Sequence, residues 1–271
     1  MRHRHALVLL AITAPICVVL RAIQMCFIID EKTGFTKQNY KVINLGIMIV
    51  ICASAVAVGL LAMTIETTKQ NKKELHPILA IVSALTSGMF IYQTVSGLSA
   101  QSMGSWHSVL LVLLSLGSAI VFLAFGFKNI YDYNMPSMIL IVPVLYYIVR
   151  LISVFVSTSE LSLVTENMFL IFTNSILLWF MYELAAFENG MGEVHKAPKK
   201  LFASGLSAVV LCAVTSVSKF VFAAVNNIEL SGEDISAALL NAAMGVFVLT
   251  YILCNFVSRP KKTVHISKHS I

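Results

Sequence analysis

Charge is the scarcest property of this sequence. Only 12% of its 271 residues are Asp, Glu, Lys or Arg, whereas 58% are hydrophobic. Soluble domains typically carry about 25% charged residues, so this composition excludes an ordinary soluble globule. No low-complexity block and no long polar segment interrupts the chain. We therefore expect residues 1–271 to form a single transmembrane domain.

Signatures of catalysis and of metal binding are also missing. The sequence contains no HExxH, GxSxG or Walker motif, and its seven His residues show no metal-ligand spacing. The five cysteines fall inside apolar runs, which is typical of small buried hydrophobic residues rather than of a disulfide framework or zinc site. These absences predict no catalytic residue, no metal and no cofactor, and they make an enzyme the less favoured class.

The sequence does contain eight apolar windows that are long enough to cross a bilayer as helices, for which about 20 residues are needed. The windows are Ala6–Ile29, Val42–Thr64, Pro77–Leu98, His107–Phe127, Ser137–Val156, Leu163–Phe187, Leu201–Val225 and Ile235–Val257. The first lacks a clear signal-peptide cleavage site, and we expect it to be retained as a span. The predicted fold is all-α: a polytopic membrane helical bundle of eight transmembrane helices.

The distribution of Lys and Arg predicts the orientation of these spans. Of the 19 basic residues, 13 lie in the tails and even-numbered connections, and three lie in the first connection. The positive-inside rule then places both termini in the cytoplasm, and we expect a cell membrane, of bacterial plasma-membrane type. The basic inner face suits anionic lipids or a partner protein. A nucleic-acid partner is not expected, since no dense basic stripe or binding motif is present.

Weak self-similarity at an offset of 129 residues indicates a tandem 4+4 repeat. The pairs that match include Arg21 with Arg150 and Thr215 with Thr86. The halves would be residues 1–130 and 131–258, followed by a short basic cytoplasmic tail, 259–271. Parallel repeats of this kind occur in transporters.

Three cations interrupt the apolar spans: Arg21, Arg150 and Lys219. Each lies six to eight residues from the predicted outer end of its helix, which corresponds to a common layer about 9–12 Å below the outer interface. A cation near the centre of a span costs about 2.5–3.5 kcal/mol on insertion scales, so three in one chain require a reason.

Polar residues share helical faces with these cations or lie at similar depth. Ser216 is on the face of Lys219, Tyr146 is on the face of Arg150, and Gln93 lies at a similar depth in the third span. We therefore predict an outward-facing polar pocket for an anionic group. Its substrate-binding residues would be Arg21, Gln93, Tyr146, Arg150, Ser216 and Lys219. The alternative is that the cations snorkel to the interface or pair with acidic residues of the outer loops.

Other polar residues of the spans have simpler interpretations. We expect Glu183, near the inner end of the sixth span, to reach the cytoplasmic interface more readily than to couple protons. Asn174 and Asn241 are expected to form hydrogen bonds between helices.

The function expected from this pattern is that of a multi-pass carrier, or carrier subunit, binding a small anionic solute or lipid headgroup. The alternative is a non-transporting membrane sensor or accessory protein that binds an extracytoplasmic ligand and a cytoplasmic partner. A membrane enzyme that acts on lipid ranks third. The expected partners are membrane lipids, a small anionic ligand and a protein at the basic cytoplasmic face.

Overall fold

The computed structural model describes residues 2–29, 36–64, 76–99, 106–131, 136–158, 164–190, 197–226 and 230–256. Within these ranges the fold is all-helical, with eight long helices. They are α1 (Arg2–Ile23), α2 (Lys41–Met63), α3 (Pro77–Ser99), α4 (Trp106–Tyr131), α5 (Ile141–Thr158), α6 (Val164–Glu188), α7 (Ala197–Asn226) and α8 (Gly232–Phe256). A π-helical turn, Gln24–Ile28, extends α1, and 3-10 turns precede α2 and α5.

All eight helices are long and apolar enough to cross a membrane. The predicted number of spans is therefore confirmed for the described residues, and the bounds differ from the sequence windows by only a few residues. The largest helix, α7, has 30 residues and is about 45 Å long, which exceeds a hydrocarbon core of about 30 Å. The architecture is that of a multi-pass membrane protein. Its membrane and orientation stay predictions, because the tail 259–271 and most loop charges lie outside the described residues.

Six of the helices, α3 to α8, form a ring. Each packs against the next along the chain, and α8 packs against α3. Helices α1 and α2 pack against each other and against α7, which is the most buried helix. Small residues permit this approach: a Cβ added at Gly59 of α2 would collide with Ser207 of α7. Such small-residue contacts are common where helices associate in lipid.

Contacts between helix termini define the two ends of the bundle. The end of α1 contacts the start of α2 through Gln24 and Asn44, and the end of α7 contacts the start of α8 through Lys219 and Asp234. We call this the distal end, which the sequence predicts to be outside. The ends of α4, α6 and α8 meet at the opposite, proximal end.

Aromatic side chains fill the ring towards its proximal end. The rings of Phe122 and Phe247 lie 4.9 Å apart edge to face, Phe90 stacks on Phe122 at 5.3 Å, and Phe90 meets Tyr146 at 5.1 Å. Tyr251 adds contacts nearer the proximal end. These rings form one aromatic cluster that fills the interior of the bundle on the proximal side of Tyr146.

The two halves of the suggested repeat differ in their hydrogen bonding. Ser87 of α3 donates a hydrogen bond to the Ala119 carbonyl of α4, whereas its counterpart Ser216 donates to the Cys212 carbonyl of its own helix. The 4+4 repeat therefore stays a prediction from the sequence.

Candidate functional site

Two of the three intramembrane cations line one small cleft at the distal end. Arg21 of α1 and Lys219 of α7 both face it. Its remaining lining residues are Met25, Phe169, Leu170, Thr215 and Ser218. The free volume of this distal cleft is about 10 Å³, which is room for about one water molecule. The structure thus brings these two predicted site residues to one cleft, whose lining is largely apolar.

Arg21 is held by contacts within the protein. Its side chain is only 2% exposed, its Nη1 donates a 2.7 Å hydrogen bond to Gln24 Oε1, and its guanidinium stacks 4.3 Å from the Phe169 ring centroid. Gln24 in turn donates a 2.6 Å hydrogen bond to Asn44 Oδ1. Because these contacts join α1, α2 and α6, Arg21 is a bridging residue of the distal end and does not extend into lipid.

Lys219 forms a salt bridge across the α7–α8 boundary. Its Nζ lies 2.8 Å from Asp234 Oδ1, and Ser231 donates a 2.7 Å hydrogen bond to the other carboxylate oxygen. The lysine side chain is 13% exposed and the aspartate 47%. This pairing with a distal acid is what the alternative interpretation of the sequence expected for the cations. Other acidic residues of the predicted outer connections, Asp30, Glu31, Glu160 and Glu229, lie outside the described residues.

Arg150 forms a separate, interior centre. It is 8% exposed, its Nη1 lies 3.4 Å from the Tyr146 hydroxyl, and its guanidinium is 5.9 Å from the Tyr146 ring centroid. No carboxylate among the described side chains lies within salt-bridge distance of Arg150. Tyr147 precedes Arg150 by three residues and so lies on the same face of α5.

The interior centre is separate from the distal cleft. Arg21 and Lys219 line that cleft, whereas Arg150 is not among its lining residues. Of the three predicted site cations, the structure thus brings two together and leaves the third apart.

Several buried polar atoms near the level of Arg150 have no hydrogen-bond partner among the described residues. They are Gln93 Oε1, the Tyr147 hydroxyl, both side-chain polar atoms of Asn174, and Asn241 Oδ1. Buried polar groups are normally satisfied by protein or by water. We call Arg150 and these four residues the interior polar layer.

Helical register places the outer members of this layer near Arg150. Gln93 lies one turn distal to Phe90, whose ring contacts Tyr146, and Arg150 lies one turn distal to Tyr146. Asn174 lies five residues deeper than Phe169, the residue beneath the Arg21 guanidinium. Sequence reasoning did not include Tyr147, Asn174 or Asn241 in the site. For Asn174 and Asn241, the sequence showed an amide side chain in the middle of an apolar span, which could have indicated a role in the site.

Ser216 and Thr215 are both buried on the face of α7 that carries Lys219. The Ser216 hydroxyl donates a 2.6 Å hydrogen bond to the Cys212 carbonyl. Thr215 donates to the Leu211 carbonyl at 3.0 Å, and its oxygen accepts from Asn241 Nδ2 at 3.4 Å. Both hydroxyl protons are therefore used within α7, and only the hydroxyl oxygens remain as acceptors.

A charged cluster joins α4, α6 and α8 at the proximal end. Glu188 of α6 accepts a 2.7 Å hydrogen bond from Lys128 of α4 and a 3.0 Å hydrogen bond from the Tyr251 hydroxyl of α8. We call these three residues the proximal clamp. Glu183, one turn earlier in α6, is 7% exposed and accepts a 3.2 Å hydrogen bond from Trp179 Nε1. The protein therefore encloses this carboxylate more than the sequence led us to expect.

These contacts define what the interior can do chemically. Arginine carries five N–H donors, and the single long contact of Arg150 to Tyr146 leaves most of them for a ligand or water. The neighbouring phenol and amides add uncharged hydrogen-bonding groups. The arrangement suits recognition of a small polar anion. The chain matches no protein-family model, no curated protein sequence and no solved structure.

Proposed function

We propose that the protein is a multi-pass carrier, or the membrane subunit of one, for a small anionic solute or lipid headgroup. The observation that carries this proposal is Arg150, a guanidinium buried among helices with no carboxylate partner among the described residues. The interior polar layer would hold the anion, and the distal cleft would mark the side from which the anion enters.

Arg150 needs an anionic partner for energetic reasons. The effective penalty for burying an ion is several kcal/mol, and one long hydrogen bond offsets only part of it. A carboxylate or phosphate would neutralise the charge and could accept two parallel hydrogen bonds from the guanidinium. Ionisable residues inside membrane spans commonly mark substrate pathways, and this favours a ligand site over a purely structural role.

The two ends of the bundle fit alternating access. Arg21 and Lys219 line the distal cleft with basic groups, and we propose that the anion enters from this side. On the proximal side of Arg150, the aromatic rings and the proximal clamp would separate the site from the inner face. We propose that the distal end faces outward in a plasma membrane, with both termini cytoplasmic, and that the proximal clamp must separate before the anion is released inside.

Reconstitution into liposomes provides the direct test. Uptake of radiolabelled acetate, glycolate, phosphate and glycerol phosphate would be measured for the wild type, for Arg150→Gln and for the matched control Lys200→Gln. Lys200 is exposed at the proximal start of α7, so its removal changes the net charge equally without touching the site. We expect Arg150→Gln to abolish saturable uptake of at least one anion and the control to retain it. Equal uptake by all three proteins would refute the proposal.

A sensor or accessory protein is the second candidate. The observation that favours it is the small size of the distal cleft together with the closed proximal end, which would suit binding without passage. Under this alternative, the wild type binds an anion in an Arg150-dependent manner, but liposomes show no uptake. The same set of proteins therefore separates the two functions.

A further inference from the structure

We infer that the interior site recognises an anion that also carries a hydrogen-bond donor, such as a hydroxyl or amino group, and that Asn241 receives this donor. The inference rests on the proposed function, because Arg150 supplies the anion-binding half of the same site. It extends that function by naming the class of ligand: a hydroxy or amino acid, or a headgroup of the glycerol phosphate type.

The Asn241 amide is directed towards α7. The Thr215 hydroxyl donates to carbonyls of its own helix, Leu211 at 3.0 Å and Cys212 at 3.4 Å. Its oxygen accepts a hydrogen bond from Asn241 Nδ2, 3.4 Å away. With its NH₂ group directed to Thr215, Asn241 has an Oδ1 without a hydrogen-bond partner among the described residues.

Asn241 lies near the level of Arg150. It follows the distal start of α8 by nine residues, and Arg150 precedes the distal end of α5 by eight, so both lie about 12–14 Å along their helices from the distal end. The NH₂ group of Asn241 is directed to Thr215 of α7. The acceptor and the cation therefore lie at similar depth in the bundle, on α8 and α5 respectively.

Tyr147 lies on the same face of α5 as Arg150, three residues earlier. It is fully buried, and its hydroxyl has no hydrogen-bond partner among the residues that the structure describes. A phenol can donate to an anion or accept from a ligand hydroxyl. Arg150, Tyr147 and Asn241 thus offer donors and an acceptor within one buried region.

An unsatisfied buried acceptor makes the site selective. A ligand that lacks the donor leaves Asn241 Oδ1 unpaired after water is displaced, and this costs binding free energy that a donor-bearing ligand recovers. Sites built around a buried hydrogen bond reject analogues that lack the group much more strongly than apolar pockets reject a missing methylene. We expect a donor-bearing anion to bind about 10- to 100-fold more tightly than its bare analogue.

Two matched pairs of probes test this inference by equilibrium binding to the purified full-length protein. Acetate is compared with glycolate, which adds one hydroxyl, and phosphate is compared with glycerol 1-phosphate. We expect the wild type to favour the hydroxyl-bearing member of at least one pair. Asn241→Leu should reduce this preference to less than about threefold while the affinity for the bare anion is retained. Tyr147→Phe provides a second variant of nearly unchanged shape if Asn241→Leu does not fold.

The outcomes distinguish this inference from the proposed function. If both members of each pair bind equally through Arg150, the inference is wrong and the proposed function stands. If none of the four anions binds in an Arg150-dependent manner, the proposed function fails first. Displacement of glycerol 1-phosphate by nanodiscs of phosphatidylglycerol, but not of phosphatidylcholine, would identify the donor-bearing anion as a headgroup. Absence of such displacement together with hydroxyl selectivity would identify it as a free solute.

Discussion

Replacing Arg150 with methionine should stabilise the ligand-free protein while it abolishes anion binding. Methionine has a similar length and is apolar, so it can fill the same space between the helices. If Arg150 were a structural residue, its loss would destabilise the fold. If it awaits an anion, its loss removes a buried charge that has no counter-ion.

The magnitude follows from the contacts that Arg150 makes. Burial of an ion costs several kcal/mol. The hydrogen bond to Tyr146 is long at 3.4 Å, and we assign it at most about 1 kcal/mol. The guanidinium lies 5.9 Å from the Tyr146 ring, at the edge of the range for a cation–π contact worth about 0.5–2 kcal/mol. We therefore expect Arg150→Met to raise the free energy of unfolding by about 1–3 kcal/mol.

Arg21→Met provides the matched control, because Arg21 is as buried but well partnered. Its loss removes a 2.7 Å hydrogen bond and a 4.3 Å cation–π contact, and it leaves Gln24 Oε1 without its donor. This variant should lose about 2–4 kcal/mol.

The assay is unfolding of both variants and the wild type in detergent, with and without saturating glycolate. Added ligand should stabilise the wild type by about 2.7 kcal/mol at 100 times its Kd and leave Arg150→Met unchanged. A loss of stability in Arg150→Met comparable to that in Arg21→Met would refute the reasoning, because it would show that the guanidinium is already compensated in the ligand-free fold.

The remaining predictions concern the two ends of the bundle and its packing. Asp234→Asn removes the carboxylate of the distal salt bridge. Since that carboxylate is 47% exposed, the free energy of unfolding should fall by less than about 1 kcal/mol. A loss of more than twice that amount would contradict its exposed position. Glu188→Gln weakens both hydrogen bonds of the proximal clamp. Maleimide should then modify the native Cys254 of α8 faster than in the wild type, as followed by mass spectrometry. An unchanged rate would show that the clamp does not limit access to Cys254. Gly59→Ala should destabilise the protein by about 1–3 kcal/mol, because the added Cβ would collide with α7. Gly46→Ala should not destabilise it, because no atom lies within 4 Å of the added Cβ. Similar unfolding of both variants in detergent would contradict the close α2–α7 packing.

The site was only partly predictable from the sequence. Counting residues to the helix ends brought Arg21 and Lys219 to one level, and both line the distal cleft. The same count placed Arg150 with them, but Arg150 does not line the cleft and contacts Tyr146 of its own helix instead. Sequence position fixes the height of a Cα along a helix, but neighbouring helices decide where a long side chain points.

The sequence by itself determined that the chain forms eight apolar helices. In lipid each backbone group must be satisfied within its own segment, so composition over about 20 consecutive residues is sufficient to specify a span. Only the tertiary structure decided which polar groups meet. The contacts of Glu188 with Lys128 and Tyr251 join residues 60 and 63 positions apart, and Asn241 reaches Thr215 across 26. Lipid is as apolar as the helix faces, so hydrophobicity does not set helix rotation or pairing. Close packing of small residues and a few hydrogen bonds set them instead, and these depend on the whole bundle.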